Sequence, residues 1–122
     1  MKIEKFENNP LLKLSFEFAL LIVSYCELLE INKKDIIGRQ LLKSGTSIGS
    51  NSMEAQNAES KVDFIHKLKI AAKEAEETQY WLLICSNSTN YPNCDALLLK
   101  LESLSKLLSS ILSSLKKSIN LK

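Results

Sequence analysis

Glycine and proline are scarce in this sequence, whose 122 residues include three glycines and two prolines. Both residues interrupt or terminate helices, so their scarcity, together with abundant leucine and serine, favours long helices. No stretch shows the alternation of apolar and polar residues that is typical of strands. The composition therefore predicts an all-α protein of one domain, long enough to bury a core without disulfides or metals.

Histidine is too rare for the usual catalytic and metal-binding patterns, since His66 is the only one. A di-iron site in a helical bundle takes two Glu-x-x-His motifs, and the nearest pattern here is one Asp63-x-x-His66. A nucleophilic serine needs a base and an orienting group, and glycine-rich phosphate loops are missing. We therefore expect no catalytic, cofactor-binding or metal-binding residue, no small-molecule substrate and no enzyme activity.

The three cysteines form no CxxC motif, and their odd number suits a reducing compartment. Cys26, Cys85 and Cys94 lie in or beside apolar helical stretches and are expected to be buried thiols. A disulfide between the last two is the less favoured alternative. The apolar run 18–23 is far shorter than the ~20 residues of a membrane span, and residues 1–7 carry both signs of charge, unlike a signal peptide. We expect a cytoplasmic protein that does not enter the membrane.

Apolar periodicity predicts four helices within one domain, 1–122, separated by short connections. Short connections between long helices make neighbouring helices antiparallel, so the predicted architecture is an up-down-up-down four-helix bundle. The helices are expected over about residues 10–31, 35–55, 60–86 and 93–119.

Local signals mark where these helices begin. Asn9, Asp35 and Ser60 are candidate N-caps for the first three helices. Asp63 lies three residues after Ser60 and completes a variant of the capping box. Asn93 follows Tyr-Pro and is the expected start of the fourth helix.

The first helix is apolar over more than half of its circumference, which predicts a central position in the bundle or contact with a second molecule. Its apolar residues form two adjacent rows, and the third helix has one row. The predicted buried rows are Leu14, Phe18, Leu21, Tyr25 and Leu28, with Leu12, Phe16, Ala19, Val23 and Cys26 beside them, and Phe64, Leu68, Ala71, Ala75, Thr78, Leu82 and Cys85 in the third helix.

All three glycines, Gly38, Gly45 and Gly49, fall on one face of the second helix. A glycine inside a helix costs about 1 kcal/mol relative to alanine. Close approach of the backbone to a neighbouring helix is the expected compensation.

A row of mostly small, uncharged polar residues also follows the second helix. Exposed helix faces normally carry lysine and glutamate, whereas groups of this kind are favoured when they are buried and hydrogen-bonded. We interpret the row as a hydrogen-bond network at a helix–helix or subunit interface. A solvated face and a ligand-binding or catalytic site are the alternatives. This polar row consists of Gln40, Ser44, Ser47, Asn51 and Glu54.

Residues 73–82 of the third helix combine charged residues with the only tryptophan. One interpretation is a solvated face that leads into an aromatic core residue. The other is an oligomer contact, because tryptophan and tyrosine are favoured interface anchors. Glu77, Tyr80 and Trp81 are the candidate contact residues in that second interpretation.

The net charge of +2 is only mildly basic. The sequence places Lys33, Lys34, Arg39 and Lys43 where they could line one end and side of the second helix, as candidate nucleic-acid contacts. Four charges give weak, salt-sensitive binding, which a ring of several subunits would multiply. Ordinary solubilising charge is the alternative.

Residues 43–51 (Lys-Ser-Gly-Thr-Ser-Ile-Gly-Ser-Asn), followed by Glu54-Ala55, resemble the second-helix signature of a bacterial four-helix-bundle family often encoded in intervening sequences of 23S ribosomal RNA genes. Residues 61–68 resemble the start of the third helix of that family, and residues 70–82 resemble its second signature. Lys43 stands where the family usually has arginine.

The resemblance implies an antiparallel four-helix bundle that assembles into a homopentameric ring, with no known catalytic activity. A related accessory protein of diversity-generating retroelements is strongly basic, binds nucleic acid and partners a reverse transcriptase. This chain is much less basic. The polar row and residues 73–81 coincide with the signatures, which favours an interface at both. We expect a non-enzymatic homo-oligomer, and the alternative is a ring-shaped RNA- or DNA-binding accessory protein acting near ribosomal RNA or a mobile element.

Overall fold

The computed structural model describes the backbone of residues 4–120 and the side chains of residues 6–119. Residues 1–3 lie outside this range. They begin the segment 1–7, whose mixed charge is unlike that of a signal peptide. No strand occurs within residues 4–120. The helices there are α1 (Glu4–Glu7), a single turn that the periodicity did not predict, followed by α2 (Pro10–Ile31), α3 (Asp35–Ala55), α4 (Lys61–Asn87) and α5 (Asp95–Asn120).

The four long helices form an antiparallel bundle. α2 packs on α3, α3 on α4, α4 on α5, and α5 on α2, while the diagonal pairs make no close backbone contact within residues 4–120. Each short connection reverses the chain, so the order is up-down-up-down. The predicted architecture is therefore confirmed. None of the described helices combines the length and the apolar character that crossing a bilayer requires.

Side-chain caps fix the starts of α2 and α4. The Asn9 side-chain oxygen accepts hydrogen bonds from the backbone N–H groups of Leu11 and Leu12 at 3.1 and 3.2 Å. The Ser60 hydroxyl oxygen accepts one from the N–H of Asp63 at 3.0 Å. The Asp63 carboxylate in turn accepts a hydrogen bond from the N–H of Glu59 at 3.2 Å. Both predicted caps are confirmed, because each satisfies N–H groups that the first helical turn leaves without partners.

The predicted cap of α3 is wrong. Asp35 is the first helical residue, and the cap position belongs to Lys34, whose side chain makes no capping hydrogen bond. The Asp35 carboxylate forms an ion pair with Arg39 one turn later, at 3.1 Å. α5 begins two residues after its expected start, because the Asn93 side chain accepts a hydrogen bond from the N–H of Asp95 at 3.0 Å.

The glycines of α3 face a neighbouring helix, as predicted, and that helix is α2. A Cβ built on any of them would meet a side chain of α2 within ordinary contact distance or closer. Their absent side chains therefore let the two helices pack closely. The facing pairs, with the shortest distance from the added Cβ, are Gly38 with Leu29 (3.5 Å), Gly45 with Ile22 (2.9 Å) and Gly49 with Ser15 (3.3 Å).

The buried face of α2 agrees with the predicted rows only in part. The members of those rows that are buried, as predicted, are Leu12, Phe18, Tyr25 and Cys26. Ile22 and Leu29 are fully buried, although neither belongs to a predicted row. Leu21, Leu28 and Val23 were expected inside and are 40%, 43% and 39% exposed. Because α2 is apolar around most of its circumference, its own periodicity does not fix its rotation. The glycines of α3 fix it by accommodating residues 22 and 29.

The predicted row of α4 is confirmed. Phe64 is half-buried and the other six members, from Leu68 to Cys85, are buried. All three cysteines are buried and free, as expected, and no disulfide joins Cys85 to Cys94. The Cys94 thiol lies 3.4 Å from the carbonyl oxygen of Leu82 and donates to it.

Candidate functional site

The polar row of α3 divides into one buried residue and four more accessible ones. Ser44 is fully buried, and its hydroxyl shares a hydrogen bond with that of Thr78 on α4 at 3.0 Å. Thr78 is also fully buried and donates to the carbonyl oxygen of Glu74 at 2.7 Å. This pair is a polar contact between two helices of the same chain.

The other members of the polar row lie on the outer side of the α3–α4 pair. Ser47 and Asn51 are half-buried and bond to the backbone of their own helix. Ser47 donates to the carbonyl of Lys43 at 2.6 Å, and Asn51 donates to that of Ser47 at 2.8 Å. Gln40 and Glu54 are exposed. The row therefore supplies one cross-helix hydrogen bond within the subunit, and its role in assembly stays a prediction.

The aromatic residues of α4 point in different directions. Trp81 is partly buried against the core, and its indole N–H donates to the Glu77 carboxylate at 3.2 Å. Tyr80 is 61% exposed and meets the Trp81 ring edge-on, with the ring centroids 5.4 Å apart. Leu83, one turn further along, is 45% exposed. We call the two exposed side chains Tyr80 and Leu83 the α4 patch.

A second apolar surface is the outer groove between α2 and α3, here called the α2–α3 groove. It contains cavities of about 210 Å³ and 190 Å³ at its two ends. Val23, Leu42 and Met53 form the apolar parts of its walls and are each a little more than one third exposed. The first cavity is also lined by the charged residues Glu27, Glu30, Asp35 and Arg39. Small residues widen the second cavity at Thr46 and Gly49. Sequence reasoning missed this groove, although the second apolar row of the first helix was its signal.

Two of the predicted nucleic-acid contacts already have partners within the subunit. Arg39 forms the ion pair with Asp35. The Lys34 ammonium lies 5.2 Å from the centre of the Tyr91 ring, a cation–π contact between two connections of the bundle. Lys33, beside it, is exposed and has a positive φ of 61°. Arg39 and Lys34 are therefore less available to bind an anion than Lys33 is.

Lys43 lies on α3, away from the turn that holds Lys33 and Lys34. It is exposed and acts electrostatically on Glu74 of α4. Partial burial and then the charge of Glu77 raise the pKa of Glu74, and Lys43 opposes this shift. The structure thus distributes the four cations over two places, and their role as nucleic-acid contacts stays a prediction.

Within residues 6–119, no three histidine, cysteine, aspartate or glutamate side chains converge as a metal site requires. The buried thiols lie near Tyr25, whose hydroxyl donates to the carbonyl of Pro92 at 2.7 Å. Burial, and secondarily Cys85, raises the pKa of Cys26 to about 11. Burial raises the pKa of Cys94 as well. Protonated thiols are poor nucleophiles, so these cysteines behave as core residues.

The fold and these surfaces define a small antiparallel four-helix-bundle protein. A family model described as 23S rRNA-intervening sequence protein matches residues 7–110, and the chain belongs to this family. The resemblance noted in the sequence is thereby confirmed. The chain is also similar to a crystal structure from Bacteroides thetaiotaomicron VPI-5482, a protein with unknown function from the S23 ribosomal protein family. The identity is 40%, the TM-score is 0.78, and the match covers 84% of this chain and 97% of the other. None of the curated proteins matches.

Proposed function

We propose that this protein is a non-enzymatic structural unit of a homo-oligomer, which the family resemblance implies is a homopentamer. The observation that carries the proposal is the presence of two separate apolar surfaces, the α2–α3 groove and the α4 patch. Soluble monomers rarely expose large contiguous apolar patches, and such patches mark interaction sites.

The two surfaces suit a head-to-tail contact between copies. A closed ring joins two different patches of each subunit, so that every copy offers one to each neighbour. The groove is concave, with the small residues Thr46 and Gly49 in its lining, whereas Tyr80 projects from α4. In the proposed assembly, the α4 patch of one subunit lies in the α2–α3 groove of the next.

The polar row fits this arrangement as the edge of the contact. By helical periodicity, Gln40, Ser47 and Asn51 lie on the α4 side of α3, between the two apolar surfaces. Interfaces commonly surround an apolar centre with polar residues. Glu54 extends this polar edge, Glu77 holds Trp81 in place beside the patch, and Ser44 acts inside the subunit through Thr78.

The mass in solution, measured by light scattering on a sizing column, tests the proposal. A mass of several subunits is expected, and Leu42→Glu or Tyr80→Glu should each prevent assembly, because each places a charge in one apolar surface. Both side chains are at least 38% exposed, so neither change should unfold the bundle. Leu99→Glu is the control, because Leu99 is 68% exposed on α5, away from both surfaces.

Mixing the two variants distinguishes the head-to-tail geometry from a symmetric contact. The Leu42→Glu protein keeps its α4 patch and the Tyr80→Glu protein keeps its groove, so together they retain one complete contact. The mixture should form a one-to-one dimer and nothing larger. A monomeric parent protein would contradict the whole proposal. A mixture that stays monomeric would exclude the head-to-tail pairing of these surfaces.

Nucleic-acid binding is the second candidate function. The family description refers to ribosomal RNA, and a ring would repeat Lys33 and Lys43 in every subunit. Because Arg39 and Lys34 are held by Asp35 and Tyr91, we propose that Lys33 and Lys43 would contribute most to binding. Such binding would rest on electrostatic contact with phosphates and would be weak for one subunit.

A further inference from the structure

A third groove lies at the end of the bundle where α4 begins and α5 ends. It has a volume of about 370 Å³, within the range of about 300–1,000 Å³ that is typical of small-molecule clefts. Aliphatic side chains form its floor, and nitrogen-bearing side chains form its rim. We call it the basic groove, and it is lined by Val62, Ile65 and Ile119 on the floor and His66, Lys69 and Lys116 on the rim.

Positive charge in the basic groove is not balanced by the residues that line it. None of them is acidic. Asp63, nearby on α4, has its carboxylate paired with Lys67 at 3.1 Å. Among residues 6–119, neither Lys69 nor Lys116 has a carboxylate within 4.0 Å. The rim therefore offers two ammonium groups and an imidazole to an anion.

A cross-helix contact holds the two walls of the groove together. The Lys61 ammonium, at the start of α4, donates to the Ser118 hydroxyl near the end of α5 at 3.0 Å. Ile65 is nearly buried and connects the floor to the core, while Val62 is 69% exposed. The apolar floor thus extends from a core residue to an outer part that lies open to a ligand.

We infer that the basic groove binds a small amphipathic anion. Its hydrocarbon body would cover Val62 and Ile119, and its anionic head would lie between the Lys69 and Lys116 ammonium groups. Burying the open part of the floor supplies the apolar contribution, and the two cations orient the head. A nucleic-acid strand fits less well, because backbone binding requires a track of cations with no need of an apolar floor.

Octanoate is a suitable probe, since it joins an eight-carbon chain to one carboxylate. In a titration followed by amide chemical shifts, octanoate should perturb the amides of residues 62–69 and 116–119. Octanamide, which has the same chain without the charge, should bind at least fivefold more weakly. Adenosine monophosphate tests whether a phosphate on a polar body is preferred.

Lys116→Glu and Lys100→Glu form a matched pair of variants, because both lysines are exposed on α5 and both changes alter the net charge equally. Only the first lies in the basic groove. Lys116→Glu should weaken octanoate binding at least fivefold, and Lys100→Glu should leave it within twofold. Circular dichroism confirms that both variants remain folded.

Several outcomes would overturn the inference. They are equal affinities for octanoate and octanamide, equal effects of the two variants, shifts confined to the α2–α3 groove, or preferential binding of adenosine monophosphate. The test is independent of assembly, because the basic groove shares no lining residue with the α2–α3 groove or the α4 patch.

Discussion

Gly45 of α3 lies directly against Ile22 of α2. A Cβ on Gly45 would be 2.9 Å from both Cγ1 and Cγ2 of Ile22. Ile22 is fully buried, and its β-branched side chain has few rotamers available in a helix. These carbons are close to the backbone, so they cannot move aside without shifting the helix. The spacing of α2 and α3 therefore depends on this glycine.

We expect Gly45→Ala to destabilise the protein by about 1 kcal/mol. Overpacking a core typically costs about 1–3 kcal/mol, and the gain in helix propensity returns about 1 kcal/mol. Gly38→Ala is the control, because its Cβ would lie at an ordinary 3.5 Å from Leu29. The Gly38→Ala variant should be as stable as the parent protein or more stable by up to about 1 kcal/mol. Urea unfolding at one protein concentration compares the variants, and equal stabilities would contradict this account of the packing.

Loss of the Thr78 hydroxyl should destabilise the fold and leave the proposed assembly unchanged. Thr78→Val keeps the volume and leaves Ser44 with only a long contact of 3.4 Å to the Leu41 carbonyl. An impaired buried hydrogen bond costs about 1–2 kcal/mol. Ser44→Ala should cost a similar amount, and the double variant less than the sum, because the two residues share one hydrogen bond.

Light scattering separates this internal role from an interface role. If Ser44→Ala lowered the mass in solution while the free energy of unfolding of the subunit stayed unchanged, Ser44 would belong to the contact between copies. The expected result is the reverse: the variant keeps the mass of the parent protein in solution and has a lower free energy of unfolding.

The architecture followed from local sequence signals, but the rotation of α2 did not. Pro10 and its cap Asn9, together with few breakers, favour a long helix on local grounds alone. Which side of that helix is buried depends on its neighbour, because apolar residues occupy most of its circumference. The glycines of α3 held that information, since Gly38 and Gly45 are seven residues apart and so are Ile22 and Leu29, which they face.

The candidate surfaces were predictable only in part, for the same reason. The polar row was visible as a periodic pattern, yet its division into a buried Ser44 and an exposed Gln40 depends on where α4 lies. The α2–α3 groove belongs to neither helix alone. Its walls come from Val23 and Leu42, which are distant in sequence, so the second apolar row of the first helix indicated one wall but not the groove.

Alkaline pH should weaken the fold through the buried thiols. An unfolded cysteine loses its proton near pH 9.0, whereas burial raises the pKa of Cys26 to about 11 in the fold. Its contribution to stability is therefore complete below pH 9.0 and is lost as the pH rises towards about 11. In this window the free energy of unfolding falls by about 1 kcal/mol per pH unit for this group alone. Burial also raises the pKa of Cys85, of Cys94 and of Tyr25, so the ionisation of these groups at alkaline pH destabilises the fold as well.

Cys26→Ala isolates that contribution. Urea unfolding across the same pH window should give the variant a slope shallower than that of the parent by about 1 kcal/mol per pH unit. The comparison uses slopes, so the packing lost with the thiol does not affect it. Parallel slopes would show that Cys26 ionises as easily in the fold as in the unfolded chain.

Binding of structured RNA, followed by fluorescence anisotropy, tests the second candidate function. If Lys33 and Lys43 contact phosphates, affinity should fall steeply between about 50 and 200 mM salt, because each contact releases a counterion. Replacing both lysines by alanine should weaken binding to all sequences alike and lower the salt slope by about two for each subunit that contacts the RNA. Lys100→Ala is the control, because Lys100 is exposed on α5 and is not one of the candidate contacts. Absence of binding at the lowest salt would remove nucleic acid as a partner, and an unchanged slope in the double variant would place the contacts on other cations.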